Sequence, residues 1–397
     1  MGKAVIMDGV RTAIGRMGGS LKDIDVDFLS EKVIREAIKR SHVKSEEIEE
    51  VVWGHAKQSS DVPNLGRLAA LRAELPINVS GYTVQRQCGS GLQAINNAAQ
   101  QIICGISDVI IAGGAESMSN APYYLRKARY GYGAGNAELV DPNTESQPRA
   151  QPIEKYGNLT MGLTAENLAV KYNISREEQD YFALESQEKA ATAIKQGNFK
   201  AEIVPFDIKR NKQTIQFETD EHPRSTSFEK LAALKPVFKK DGTVTAGNSS
   251  GRNDGAAALV LMSEEKALKE GLHPRLRIIA QASVGVPPEI MGIGPVPATL
   301  KVLRMAGLSL DDMDLIELNE AFAAQSLAVL RELNIDQKKV NVNGGAIALG
   351  HPIGGTGAIL TVKIMHELER RGGRYGLITA CIGGGQGIAT IVENLRV

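Results

Sequence analysis

Cysteine is scarce in this sequence: Cys88, Cys104 and Cys381 are all that its 397 residues contain. An odd and low count argues against a secreted disulfide framework, and without a CxxC pair a zinc site is not expected. The histidines (His42, His55, His222, His273, His351 and His366) are scattered and none belongs to an HExxH motif, so no metal is predicted. An excess of charge is missing too. Lys plus Arg and Asp plus Glu each number 46, which gives no electrostatic reason to expect nucleic acid or a general membrane surface as a partner. No apolar run reaches the length of a membrane span. The opening stretch, MGKAVIMDGVRT, reads as a strand running into a turn and not as a signal peptide. Ile6 breaks the N-myristoylation pattern. These absences lead to the expectation of a soluble, cytoplasmic protein.

Apolar residues and glycine are plentiful. With 397 residues, 43% of them apolar and 23% charged, the chain can bury a large core and is long for one domain, so two or three are expected. The 41 glycines gather at 89–91, 113–114, 344–345, 354–355 and 383–385, a pattern of close backbone approach and anion-cradling turns.

Two stretches begin alike and end in chemistry. Asn78-Val-Ser-Gly81 is followed by Cys88-Gly-Ser-Gly91, and Asn341-Val-Asn-Gly344 by His351-Pro-Ile-Gly354. In each, the reactive residue follows the asparagine at the same offset and opens a small-residue run before a helix. Apolar patterning predicts strands at 5–7, 51–53 and 109–112 and helices at 28–40, 65–73 and 92–103. The order returns with helices at 298–305, 321–333 and 359–368 and strands at 315–318 and 375–379. This alternation predicts a mostly parallel sheet covered on both faces. The shared strand, NV(S/N)G turn, reactive residue and helix predict an internal duplication. Between the halves, 121–152 is rich in Tyr, Gly, Asn and Pro. Residues 162–197 read as helical, with Thr164 and Ser175 as caps and Ser175 and Glu178 spaced as a capping box. Residues 203–217 read as exposed strands. The whole is an excursion that returns near Thr243, with 259–261 a strand of the first half.

Cys88 directly precedes a helix, where free N–H groups and the helix N-terminus favour a thiolate; the alternative is a small buried hydrophobe. His351, held on a stiff turn by Pro352, can take a thiol proton or be a structural histidine. Cys381 follows a buried strand, and Gly383 to Gly385 can aim N–H groups at an oxyanion; a phosphate loop is the other reading of the same glycines. Asn319 can cap the helix that follows it or hold a water in a site. Glu320 is either an acid or base, or a favourable charge at the helix's positive end.

These residues sit in motifs that resemble those of the thiolases, acetyl-CoA acyltransferases of the tetrameric bacterial type, over essentially the whole chain. The motifs are RQCGSGLQA around Cys88, AGGAESMSN at 112–120, MGLTAEN at 161–167, TAGNSSGRNDGAAA at 245–258, NEAFAAQ at 319–325, NVNGGAIALGHPIGGTGA at 341–358 and CIGGGQG at 381–387. Condensing enzymes that use carrier proteins lack the second cysteine of CxGGG.

The resemblance implies an α/β fold of two similar mixed-sheet halves in α-β-α-β-α layers. It implies a first half at 1–120 plus 248–272, an inserted CoA-binding loop domain at 121–247 and a second half at 273–397. It implies reversible Claisen condensation of two acetyl-CoA to acetoacetyl-CoA, and the reverse thiolysis, by ping-pong chemistry through an acyl-Cys88 thioester. The alternative is a broader 3-ketoacyl-CoA thiolase of fatty acid metabolism, and a remote one is a non-catalytic lipid-carrier relative. His351 would activate Cys88, and Cys381 would move the α-carbon proton. His351 with a water held by Asn319 would form one oxyanion hole, and the N–H groups of Cys88 and Gly383 the other. Coenzyme A and acyl-CoA would be substrates, with no permanently bound cofactor. Ser250, Ala246, Phe238, Leu234 and Arg224 would contact CoA, and Met161, Met291 and Phe322 would wall the acyl pocket. A cover loop at 126–135 would make inter-subunit contacts in a homotetramer, a dimer of dimers. Two features depart from the family pattern. Thr160 stands where short-chain members often have His, and HPIGGTGAI stands where HPIGASGAR is frequent.

Overall fold

The computed structural model describes residues 2–210 and 213–397. Along the first half run β1 (Ala4–Thr12), β2 (Gly15–Arg16), α1 (Val26–Ser41), β3 (Glu50–Gly54), α2 (Leu65–Arg72), β4 (Ser80–Val84), α3 (Ser90–Ile103) and β5 (Val109–Ser117). The excursion holds β6 (Tyr124–Leu125), β7 (Leu139–Val140), α4 (Pro142–Glu145), α5 (Ile153–Tyr156), α6 (Met161–Lys171), α7 (Arg176–Gln196), β8 (Ile203–Val204), β9 (Phe206–Arg210), β10 (Gln213–Phe217) and α8 (Phe228–Ala232). The chain then returns through β11 (Asn253–Ser263) and α9 (Glu264–Lys269). The second half comprises β12 (Leu276–Gly285), α10 (Pro295–Ala306), β13 (Leu315–Leu318), α11 (Ala323–Leu333), α12 (Ala346–Leu349), α13 (Thr356–Arg371), β14 (Tyr375–Ile382) and β15 (Gln386–Asn394).

The main sheet runs β13-β14-β15-β12-β1-β11-β5-β3-β4. Its two sides mirror each other about a seam where β1 and β12 meet antiparallel through only Val5↔Arg277 and Ile6↔Leu276. A mostly parallel sheet was expected, but the centre is antiparallel: β1 with β11, β11 with β5, β12 with β15 and β14 with β15. Parallel pairing is left to β3 with β4 and β5, β13 with β14, and β8 with β1. The physical reason is connectivity. The helices α1, α2, α3, α10, α11 and α13 lie on connections between strands of one direction, whereas β11 returns from the long excursion and β15 from a tight turn, each running against its neighbours.

Strands such as β5, an all-apolar run into GGAES, are buried along their whole length and need cover on both faces. α1 packs on β1, β5 and β11, and α10 on β12, β14 and β15. Between the halves lie α3 and α13, packed on each other; α3 reaches β15 and α13 reaches β5 and β11. Their close approach is permitted by glycine. A Cβ on Gly91 would stand 2.9 Å from Ala358 N, and one on Gly357 2.3 Å from Leu92 N.

Two local expectations change. The cap of α6 is Thr160, whose hydroxyl accepts from Leu163 N, while Thr164 sits inside the helix and bonds Met161 O. The segment 203–217 is less exposed than expected, because β8 joins the main sheet beside β1 and Ile208 and Phe217 are buried; residues 211–212 of that stretch lie outside the described residues. The second NVNG stretch forms the expected turn, just after the isolated bridge Ile316↔Val340, whereas the first leads straight into β4. Ser175 and Glu178 do form the capping box of α7.

Candidate active site

Cys88 occupies a 3-10 turn, Gln87 to Gly89, just ahead of α3. Gln87 holds φ 44°, a conformation that costs a residue with a Cβ about 1–3 kcal/mol and clusters at functional sites. Ser90 secures the turn, its hydroxyl donating to Gln87 O at 2.7 Å and accepting from Arg86 N at 2.8 Å. Burial pushes the Cys88 thiol up, and the N–H of Gly383, the Lys57 ammonium and the N–H of Cys88 itself oppose this without overcoming it. The expected thiolate is therefore a thiol at rest: the donors are present, but desolvation outweighs them.

His351 lies 3.2 Å from this sulfur through Nε2. Its Nδ1 is 2.7 Å from Thr356 Oγ1, and that hydroxyl donates its proton to Pro352 O at 2.9 Å. The hydroxyl can then only accept from His351, so Nδ1 carries the ring hydrogen and Nε2 presents a lone pair to the thiol. Burial lowers His351 to about 4, with Glu116 pulling up and Lys57 down, so the ring is neutral at pH 7. Asn253 Oδ1 accepts His351 N at 2.9 Å. Glu116, fully buried at the end of β5, accepts Ala56 N at 3.1 Å, Lys57 N at 3.1 Å and Gly354 N at 2.9 Å, and faces His55 Nε2 at 3.2 Å. One carboxylate thus ties the histidine turn of the second half to β3 and β5 of the first. His55 and Lys57 hold it below the usual range although burial works the other way.

Cys381 ends β14 and is wholly buried. Burial, then the nearby Cys88 charge, push its thiol well above the ordinary value. The turn beyond it needs glycine, with φ 90° at Gly384 and 85° at Gly385. Asn319 is not the cap of α11; Phe322 occupies that position. Among the described residues both side-chain amide atoms of Asn319 are buried without a protein partner, a state that costs about 1–3 kcal/mol unless a polar group supplies the bonds. Glu320 serves structure: it accepts from Ser186 at 2.7 Å, Asn341 at 2.8 Å and Ile347 N at 3.2 Å.

A cavity of about 170 Å³ opens over the pair, lined by Cys88, His351, Gly383, Met161, Phe238, Ser250, Met291 and Phe322. Phe238 and Phe322 meet edge to face with centroids 6.0 Å apart. Cys381 and Asn319 are not among the lining residues. Nor are Arg224, Leu234 and Ala246, which are exposed further out, with Arg224 donating to Ala246 O at 3.0 Å. Sequence reasoning missed Gln87, Thr356, Glu116 and Lys57. Glu116 alone left a trace, as a carboxylate closing an otherwise apolar strand.

The family model described as "Thiolase, N-terminal domain" matches residues 4–265, and "Thiolase, C-terminal domain" matches 272–394. The chain is 51% identical to an acetyl-CoA acetyltransferase of Escherichia coli strain K12, covering 100% of both chains. It is 50% identical, again over 100% of both, to that organism's 3-oxoadipyl-CoA/3-oxo-5,6-dehydrosuberyl-CoA thiolase. Human mitochondrial 3-ketoacyl-CoA thiolase in complex with CoA superposes with TM-score 0.94 at 46% identity, over 99% of this chain and 98% of that one.

Proposed function

The chain belongs to the thiolase family of acyltransferases, and on that premise we propose that it interconverts two acetyl-CoA with acetoacetyl-CoA and CoA. The observation that carries this reading is the pairing of Cys88 Sγ with a neutral, tautomer-fixed His351 Nε2 at 3.2 Å. Cys88 attacks the thioester carbonyl as its proton passes to His351, and His351 returns that proton to the departing CoA sulfur. The acyl group now sits on Cys88 as a thioester, so its activation is kept. The N–H groups of Cys88 and Gly383 meet the oxyanion of this half-reaction. In the second half-reaction Cys381 first passes its thiol proton to the neutral His351 and then, as the thiolate, removes the α-proton of acetyl-CoA. The Nε2–H that His351 now carries and a water oriented by Asn319 stabilise the enolate oxygen, the carbanion attacks acyl-Cys88, and the released Cys88 sulfur recovers its proton from His351.

The raised Cys381 thiol suits this step, since a thiolate of high proton affinity is the stronger base. Phe238, Ser250 and the outer residues Arg224, Leu234 and Ala246 hold CoA in this reading, while Met161, Met291 and Phe322 bound the acyl group. The division at 121–247 and a cytoplasmic homotetramer belong to the same proposal. Tyr123, Leu125, Tyr130 and Leu139 stand exposed on the excursion, which supports contacts between subunits there.

A second reading, a broad-range 3-ketoacyl-CoA thiolase, is favoured by Met118, Met161 and Met291 in the cavity wall, whose unbranched side chains can move aside for a longer chain. Thiolysis of C4, C6, C8 and C16 3-oxoacyl-CoA separates the two: a sharp fall beyond C4 supports the first, and a flat profile the second. Absence of thiolysis at every length removes both.

A further inference from the structure

Lys57 is 8% exposed and lines the same cavity as Cys88 and His351, yet the chemistry above does not use it. Its ammonium donates to Ser146 Oγ and, at 3.4 Å, to Pro142 O. Among the described residues no carboxylate lies within 4.0 Å of it. Glu116, the charge that most supports it, is occupied by His55 and three backbone N–H groups. Arg252 lines the cavity as well, bonded to Thr144 at 3.3 Å and 3.7 Å from Asp141. The cavity lining is therefore mixed. Methionines and phenylalanines share it with Lys57, Arg252, Asn143 and Ser146, and Asn143 bonds Met118 O at 2.9 Å. A buried ammonium needs a countercharge or its hydrogen bonds become costly. An apolar acyl tail supplies neither.

We propose that Lys57 selects 3-oxoacyl-CoA substrates whose acyl chain ends in a carboxylate. The inference rests on the thiolase reading and deepens it: beyond the acetoacetyl unit, the chain that fits this cavity is a dicarboxylic one. The carboxylate accepts the Lys57 hydrogen bond that an alkyl terminus leaves unmade, and charge-assisted bonds of this kind are the stronger class.

The test compares 3-oxoadipyl-CoA with 3-oxohexanoyl-CoA, equal in chain length and different only at the terminus, with acetoacetyl-CoA as the reference substrate. Wild type should cleave the dicarboxylic thioester with kcat/KM about ten-fold higher. Lys57→Met should reverse that ratio and Lys57→Arg should keep its direction; a ratio within one enzyme cancels any general loss of activity. A wild-type ratio at or below one, with acetoacetyl-CoA still cleaved, overturns the inference and leaves the thiolase reading standing. An equal fall for both C6 substrates in Lys57→Met, with the ratio kept, also overturns it and assigns Lys57 to the Cys88 thiolate. Wild type inert toward all three thioesters, acetoacetyl-CoA included, removes the thiolase reading and the inference with it.

Discussion

In the first half, β5 and β11 are sheet neighbours, but the chain between Ser117 and Asn253 leaves to build helices, a hairpin and much of a cavity wall. In the second half β14 and β15 pair in the same way, and the turn between Ile382 and Gln386 joins them directly. The outer edges differ too. β4 makes five parallel register pairs with β3, from Glu50↔Ser80 to Gly54↔Val84, where its counterpart beside β13 keeps the single bridge Ile316↔Val340. One scaffold thus carries two jobs. The expanded junction lines the cavity, and the contracted one becomes a glycine nest beside the sulfur. The retracted edge strand leaves the second half with a turn, α12 and the stiff His351-Pro352 corner, set against Cys88.

The comparison breaks most completely if its two reactive residues are removed. Cys88→Ala should lower thiolysis by about four orders of magnitude or more, and His351→Ala by about two to four, read as kcat/KM for acetoacetyl-CoA. Retained thiolysis in Cys88→Ala would end the assignment. Cys381→Ala sharpens the division between the halves. Mass spectrometry should still find Cys88 acetylated by acetyl-CoA, while condensation drops about a hundred-fold or more.

Thr356→Val removes the acceptor that fixes the tautomer, so kcat should fall about ten- to a hundred-fold with KM nearly unchanged; a restored rate in Thr356→Ser would tie the effect to the hydroxyl. The smallest effect is in the pH profile. Nε2 must be unprotonated to accept the thiol proton, and burial holds His351 at about 4. The kcat/KM should therefore stay level down to about pH 5 and fall below about pH 4, where an ordinary histidine would place the limb at about 6.5. Between about 6.5 and 4 the unfolded histidine binds its proton first, so the His351 contribution to stability declines as pH falls through that window.

Much of this was legible from local sequence. Cys88 and His351 announced themselves through matched offsets and small-residue runs, and Ser175 with Glu178 through a spacing that has one geometric meaning. What stayed hidden depends on relations across the chain. The antiparallel centre follows from how β11 and β15 return, which helix and strand periods do not encode. Lys57 reads as an ordinary polar residue in GHAKQSS until β3 and the 142–146 segment bring it into the cavity. The sign of the Cys88 shift was missed for the same reason: the favourable dipoles are local and visible, whereas the desolvation that outweighs them is a property of the whole packed molecule.

The sheet order also bears on how the molecule is made. β1 is synthesised ahead of its partners β8, β11 and β12, which begin at Ile203, Asn253 and Leu276. Until they emerge, its unpaired backbone edges are a template for any neighbouring strand. Such long-range closure makes folding slow and makes the nascent chain, more than the finished enzyme, the form that needs protection from aggregation.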